Sequence, residues 1–372
     1  MKTLISPGKA GFLLMPLFLL LFNTCEKPAT GFDEEEAAIL YMRSTKVEEP
    51  VPGTTVKVMT WNIRFGIGRG PWFGDACGYK VVYTKEEILT NLQVIADHIN
   101  QVQPDILLLQ EVDINSTRSA YVDELQWLLD NTYFNYAAYG SQWEAQFIPS
   151  DGLGRMNEVN AILSRWPMAD AKRISLDLRG DQSGIVRYYY ERCCMVEARI
   201  NIPGYDNIYA VNIHASAFAT DDTKHQHIIK FREELDRINA GNGYFVAGGD
   251  LNTLPPGSDS TDYCHEDMCP GELFHQPGDD PQHKEGSNYT PENQWLVPLY
   301  ANYNCAVSLA DYSANQLLYF THTTRPEHFW DRTLDYLFTN SNWSAGSTIT
   351  HQDFIDDSDH APVSSSFVLP VK

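Results

Sequence analysis

Asp105-Ile106-Leu107-Leu108-Leu109-Gln110-Glu111-Val112 is apolar from Ile106 through Leu109 and then turns abruptly to an amide and an acid. A strand sends successive side chains to opposite faces, so a run that is apolar at every position has to be covered on both. That requirement places the strand inside a layered α/β protein. Comparable runs at 56–63, 161–164, 209–215, 244–248, 334–339 and 363–369 are rich in β-branched and aromatic residues and read as further strands. Two helices stand out between them. The first opens with Thr84-Lys85-Glu86-Glu87, a capping box, and carries Ile88, Leu92, Ile95 and Ile99 on one face. The second, over 224–239, does the same with Ile228, Phe231, Leu235 and Ile238. Buried strands and one-sided helices together predict an α/β sandwich with helices outside two stacked sheets.

Composition limits what such a fold serves. The chain has 372 residues, 43% of them hydrophobic and 20% charged, enough for a substantial core. Its net charge is 27 − 49 = −22, and no basic footprint for tight nucleic-acid binding is visible, though charge alone does not exclude DNA, since a metal and a few local arginines can hold a backbone. Met1-Lys2, Lys9 and the apolar run from Phe12 to Phe22 form a signal peptide, too short to span a bilayer, which ends in Leu21-Phe22-Asn23-Thr24-Cys25. That ending resembles a bacterial lipoprotein signal, which implies lipid on Cys25, contact with the membrane through it, and residence in the cell envelope at the outer membrane. An ordinary secretory cleavage is the alternative. Residues 1–24 are therefore expected to be removed, 25–54, acidic and then Pro-rich, to be a tether, and 55–372 to be one catalytic domain. Six cysteines remain beyond Cys25, an even number; Cys264 and Cys269 are the expected pair, while Cys193 and Cys194 are adjacent and face opposite sides of a strand. The Pro- and Gly-rich stretch 254–295 is expected to rise beside the functional site.

Polar residues gather where the apolar runs stop. Asn62 and Glu111 end two strands, and a carboxylate at the mouth of a very apolar strand calls for a cation, with Asn62 either joining the ion's shell or orienting the acid. Asp250 and Asn252 alternate with Leu251, so both point to one side, and Gly248 and Gly249 allow close backbone approach there. His214 and His360 each finish an apolar stretch and can divide proton transfer between an attacking water and a leaving oxygen. Asp335 can orient His360 through its second ring nitrogen, leaving Asp359 to face a metal. Hard oxygen donors beside two histidines suit magnesium and a phosphate. The Tyr188-Tyr189-Tyr190 run with Arg187 and Arg192 reads either as a stacking and phosphate-binding rim or, more often for tyrosines, as packing in a strand, and His225 and His227 read as solvent-facing.

In this order Trp61-Asn62, Gln110-Glu111, Asn160-Ala161-Ile162-Leu163-Ser164-Arg165, Asn212-Ile213-His214, Gly249-Asp250-Leu251-Asn252 and Ser358-Asp359-His360 resemble the endonuclease/exonuclease/phosphatase superfamily from about 58 to 367. The resemblance implies a four-layer αββα sandwich of two mixed β-sheets with helices outside. It implies Mg²⁺ or Mn²⁺ on Asn62 and Glu111 with Asp359 near the ion, and phosphate contacts from Asn160, Asn252 and His214. Catalysis would then rest on His214, Asp250, Asn252, Asp335 and His360, acting on a phosphate ester of nucleic acid, phospholipid or sugar phosphate. No protein partner is expected. The chain departs from the common pattern at Val159, Arg64 and Arg332. A surface binding module that keeps the fold without catalysis is the competing expectation, against which the full polar set stands.

Overall fold

The structure is a computed structural model that describes residues 27–75, 77–269 and 287–370. The signal peptide and Cys25 lie outside the described residues. Among the described residues fifteen strands follow in chain order: β1 Glu35–Ala37, β2 Ile39–Met42, β3 Thr55–Asn62, β4 Ile106–Asp113, β5 Tyr136–Ile148, β6 Gly154–Ser164, β7 Met168–Ser175, β8 Cys194–Ile200, β9 Ile208–His214, β10 Tyr244–Asp250, β11 Asn304–Cys305, β12 Asp335–Thr339, β13 Asn342–Trp343, β14 Ile349–Thr350 and β15 Val363–Val368. They form a seven-stranded sheet, β1-β7-β8-β9-β10-β12-β11, and an eight-stranded one, β13-β15-β3-β4-β6-β5-β2 with β14 on β15. Both are mixed: β3 runs parallel to β4 and β9 to β10, the other pairs antiparallel.

Alternation along the strands builds the layers. Val56, Val58, Ile106 and Leu108 meet Ala198, Ile208, Ala210 and Val246 between the sheets. Their neighbours Met59, Trp61, Leu107 and Leu109 face outward onto Ile88, Leu92, Ile95 and Ile99 of the helix Lys85–Val102. Val211, Ile213, Phe245 and Ala247 likewise receive Ile228, Phe231, Leu235 and Ile238 of the helix Thr223–Ala240. The result is the expected four-layer sandwich. The capping box forms as expected, with Thr84 accepting from Glu87 N–H and the Glu87 carboxylate accepting from Thr84 N–H.

Several expectations change. The segment 25–54 is not a plain tether: β1 pairs with β7 at one sheet edge and β2 pairs with β5 at the edge of the other. Edge pairing uses backbone hydrogen bonds, so an acidic, Pro-flanked segment can supply it without an apolar signature. Tyr188 and Tyr189 end a short helix, Gly184–Tyr189, and do not lie in a strand. His227 is fully buried rather than solvent-facing, accepting from Ser216 N–H and bonding the Asp177 carbonyl, while His225 stacks on Trp295. Cys77 bonds to Cys269, not Cys264 to Cys269. Proximity in sequence misled there, because the loop after β3 folds across to reach the 254–295 stretch.

His227 carries a stability consequence together with His351. Burial lowers both from 6.5 to about 4. Below 6.5 the unfolded chain takes up protons that these folded imidazoles refuse, so their contribution is complete above 6.5 and drains away as pH falls toward 4. Each should cost roughly 2 kcal/mol between pH 7 and pH 5. Urea denaturation at the two pH values measures the loss; His227→Asn should flatten the dependence, and an unaltered slope would remove His227 as its source.

Candidate active site

Three strand-end residues are neighbours in register. Asp250, the last residue of β10, lies opposite His214 of parallel β9 and opposite Asp335 of antiparallel β12. These strands crowd together because two glycines let them. A Cβ on Gly248 would lie 1.9 Å from the Tyr336 carbonyl oxygen, and one on Gly249, whose φ is 138°, 1.9 Å from that of Ile213. The close approach foreseen at these glycines is therefore made by neighbouring strands. Across the sandwich, β4 loses register with β6 between Leu109 and Val112, and Glu111 adopts φ of 53°, turning its carboxylate inward. Ser358-Asp359-His360 is tied to the end of β3: Ser358 Oγ donates to the Asn62 carbonyl at 2.7 Å and Trp61 Nε1 to the His360 carbonyl at 2.9 Å.

Asp250 Oδ2 stands at the centre of the resulting constellation. It is 3.6 Å from His214 Nε2, 3.5 Å from His360 Nε2 and 3.3 Å from Asn62 Nδ2, while Oδ1 accepts from Asn252 N–H at 2.8 Å. His360 Nδ1 meets Asp335 Oδ2 at 2.8 Å, the orientation expected from sequence. Glu111 Oε1 is 3.8 Å from His214 Nε2 and accepts from Asn62 Nδ2 at 2.9 Å. Glu111, His214, Asp250, Asn252, Asp359 and His360 all line one cavity of about 390 Å³, whose walls include Trp72, Phe73, Trp143, Asp267 and Tyr289. Strand ends far apart in sequence thus converge on one space. A family model for the endonuclease/exonuclease/phosphatase family matches residues 59–360. The chain belongs to that family.

Among solved structures, an endonuclease/exonuclease/phosphatase from Beutenbergia cavernae is 19% identical, with 85% of this chain and 72% of that one covered and a TM-score of 0.52. A functionally unknown conserved protein from Enterococcus faecalis is 15% identical over 84% of this chain and 100% of its own, with a TM-score of 0.51. An endonuclease/exonuclease/phosphatase from Bacteroides vulgatus is 13% identical over 86% and 100%, with a TM-score of 0.51. At these identities the likeness shows the shared fold. No curated protein matches the chain.

Members of the endonuclease/exonuclease/phosphatase family are generally phosphoesterases that use divalent metals, and the donor set here fits one. Burial, reinforced by the Glu158 and Asp359 carboxylates, pushes Glu111 well above the usual carboxylate range. A buried acid in that condition is relieved by a hard cation. Asp359 is better provided for: burial would raise it, but Arg64, with Nε 3.2 Å from its Oδ2, and His360 hold it low. Asn62 turns its oxygen to the Arg64 N–H at 3.0 Å and its amine to Glu111, so it orients the acid rather than presenting its oxygen.

The two histidines differ in charge. Burial alone would lower His360, but Asp335 and Asp250 overcome it and push it up to about 10, leaving an imidazolium whose Nε2–H points to His322 Nδ1 at 3.0 Å. Burial lowers His214, which stays neutral. Its tautomer follows from a chain of amides. Asn160 Nδ2 donates to the Cys194 carbonyl and to Gln142 Oε1, which turns the Gln142 amine toward His214 Nδ1 at 3.0 Å and puts the proton on Nε2. Asn160 is fully buried and absent from the cavity wall, so the expected phosphate contact becomes a supporting role behind His214. Asn252 lines the cavity, but its amine already donates to the Ala215 carbonyl at 2.9 Å.

Sequence reasoning missed His322, Gln142 and Lys224. Lys224, almost wholly buried under the site, donates to the Asn252 carbonyl at 2.7 Å and pairs with Glu292 at 2.6 Å. Nothing marks these residues in the sequence, because each is defined by a partner remote along the chain. The Cys77–Cys269 bridge also belongs to the site, joining the loop that carries Trp72, Phe73 and Asp75 to the one that carries Asp267. It closes 192 residues, so Cys77→Ser should cost up to about 5 kcal/mol in the loop-entropy model. Denaturant midpoints of oxidised wild type and variant measure this, and equal midpoints would show that the walls are held by other contacts.

Proposed function

We propose that the protein is a divalent-metal-dependent hydrolase of phosphodiester or phosphomonoester bonds, using Mg²⁺ or Mn²⁺. The observation that carries this reading is the Asp250 carboxylate set between one neutral and one cationic imidazole, with the buried Glu111 across the cavity. A cation held by Glu111, with Asp359 nearby, supplies charge neutralisation at phosphoryl oxygens. The remaining chemistry is the chain's own. Asp250 orients a water for in-line attack on phosphorus and accepts its proton. His360, kept charged by Asp335, donates from Nε2 to a phosphoryl oxygen and acts as a charged donor, not as a base. His214 presents its Nε2–H to the ester on the other side of Asp250.

The apolar run from Phe12 to Phe22 and Cys25 support an exported protein anchored by lipid in the bacterial cell envelope. Hydrolysis of bis(p-nitrophenyl) phosphate tests the catalytic reading. Activity should vanish in excess EDTA and return with added Mg²⁺ or Mn²⁺. Undiminished turnover in chelator would exclude metal dependence, and a folded, metal-supplemented protein inert toward both mono- and diesters would favour a binding module.

A further inference from the structure

Pro28 is the third residue after Cys25, and its backbone is fastened to the body of the fold. Gln146 N–H of β5 donates to the Pro28 carbonyl at 2.8 Å, and Thr30 N–H donates to the Glu144 carbonyl at 2.9 Å. Arg192 joins the same segment to the helix Gly184–Tyr189, donating from Nε to the Thr30 carbonyl at 2.7 Å and from Nη2 to the Tyr188 carbonyl at 3.1 Å. Three residues span at most roughly 11 Å of chain. Lipid on Cys25 would therefore hold the Gln146 end of β5 and that helix close to the bilayer surface, with no long tether between.

The surface flanking this fastening is apolar and uncovered. Phe147, next to Gln146, is 59% exposed; Ile185 is 73% exposed, and Val186 and Tyr188 are exposed beside it. None of the six residues of Gly184–Tyr189 is buried, so the helix has no core packing of its own. Apolar side chains left in solvent in this way mark an interaction surface.

We propose that Phe147, Ile185, Val186 and Tyr188 form a docking face for a phospholipid bilayer, so that the domain rests on the membrane by this face. The inference rests on the lipid anchor proposed above and adds the orientation that the anchor imposes. Apolar side chains entering the headgroup boundary add to the grip of an acyl chain, and tyrosine suits that boundary with its apolar ring and polar hydroxyl. A second copy of the chain is the poorer occupant, because Cys25 already brings a bilayer within reach and no covalent link brings a copy there. Docking by this face sets one wall of the cavity beside the membrane: Trp143 Nε1 donates to the Tyr189 carbonyl at 2.7 Å, and Trp143 and Tyr190 line the cavity.

Vesicles of phosphatidylethanolamine and phosphatidylglycerol, in EDTA to suspend the proposed activity, test the face in two ways. Leu317 is the control: it is 66% exposed, and its carbonyl accepts from Gln352, which follows β14 toward the other end of the eight-stranded sheet from β5. In the mature lipidated protein, lipid brominated on its acyl chains should quench the tryptophan of Ile185→Trp at least about twofold more than that of Leu317→Trp. In unlipidated Cys25→Ser, co-sedimentation should be weak and should fall about tenfold further with Phe147→Asp or Ile185→Asp, but not with Leu317→Asp. Where that binding is too weak to sediment, the quenching comparison decides. Mass spectrometry of Cys25 reports on the anchor separately, and thermal melts of these surface variants should match the wild type. Equal quenching at 185 and 317, or vesicle binding that ignores both Asp variants, would overturn the docking face and leave the anchor standing. An unmodified Cys25 with vesicle binding that depends on Phe147 and Ile185 would sink the anchor and leave the face, and one with no vesicle binding would sink both. Self-association in ultracentrifugation that Ile185→Asp abolishes, with vesicle binding unchanged, would give the patch to a second copy and overturn the proposal.

Discussion

Asp250→Asn lowers kcat for bis(p-nitrophenyl) phosphate by about 10³-fold or more, with a melting temperature close to that of the wild type. The replacement keeps the shape and still accepts from Asn252 N–H through Oδ1, the contact that measures 2.8 Å. What disappears is the second oxygen's charge, which among the described residues is the one carboxylate within 3.6 Å of both His214 and His360. Stability should hold, because His360 retains Asp335 as its principal counter-charge at 2.8 Å. Steady-state kinetics with a parallel thermal melt separate the effects. A folded variant within tenfold of wild-type turnover would take the proton-accepting role away from Asp250.

Glu111→Gln raises the Mg²⁺ or Mn²⁺ concentration for half-maximal activity by on the order of 100-fold, since the amide offers a neutral oxygen where the site is built for a charged one. The metal-free variant should melt no lower than the metal-free wild type. In the wild type that carboxylate is buried beside Glu158 and Asp359, and replacing it relieves repulsion while Asn62 keeps an oxygen to bond. Metal titrations of activity and of melting temperature check both halves. An unchanged metal requirement would show that Glu111 is not a ligand.

The layers were legible because burial on both faces leaves an unmistakable trace: residues such as Leu107, Leu108 and Leu109 have no solvent side to be polar on. Strand ends were legible for a related reason, since Glu111, His214 and Asp250 interrupt apolar runs at the point where a sheet meets its cavity. The edge strands β1 and β2 left no such trace, being held by backbone pairing to β7 and β5. Support behind the reacting groups was equally silent. Gln142 reads as one polar residue between Ser141 and Trp143, and only its distance to His214 shows that it sets a tautomer. Arg64 was noticed as a departure, but its partners Asp75 and Asp359 depend on the left-handed turn at Arg64 and Phe65, with φ of 46° and 39°. Asn160 was read one step too close to the substrate, because a motif fixes the order of residues along a strand and not which of them reaches the surface.

In the proposed enzyme, remote strand ends gather around one divalent cation and a phosphoryl group. Anomalous diffraction from a crystal soaked in Mn²⁺ tests it most directly. A peak is expected inside the cavity, bonded to the Glu111 carboxylate, on the same side as Asp250 and His360. Manganese bound elsewhere, with Glu111 uncoordinated at saturating metal, would contradict it.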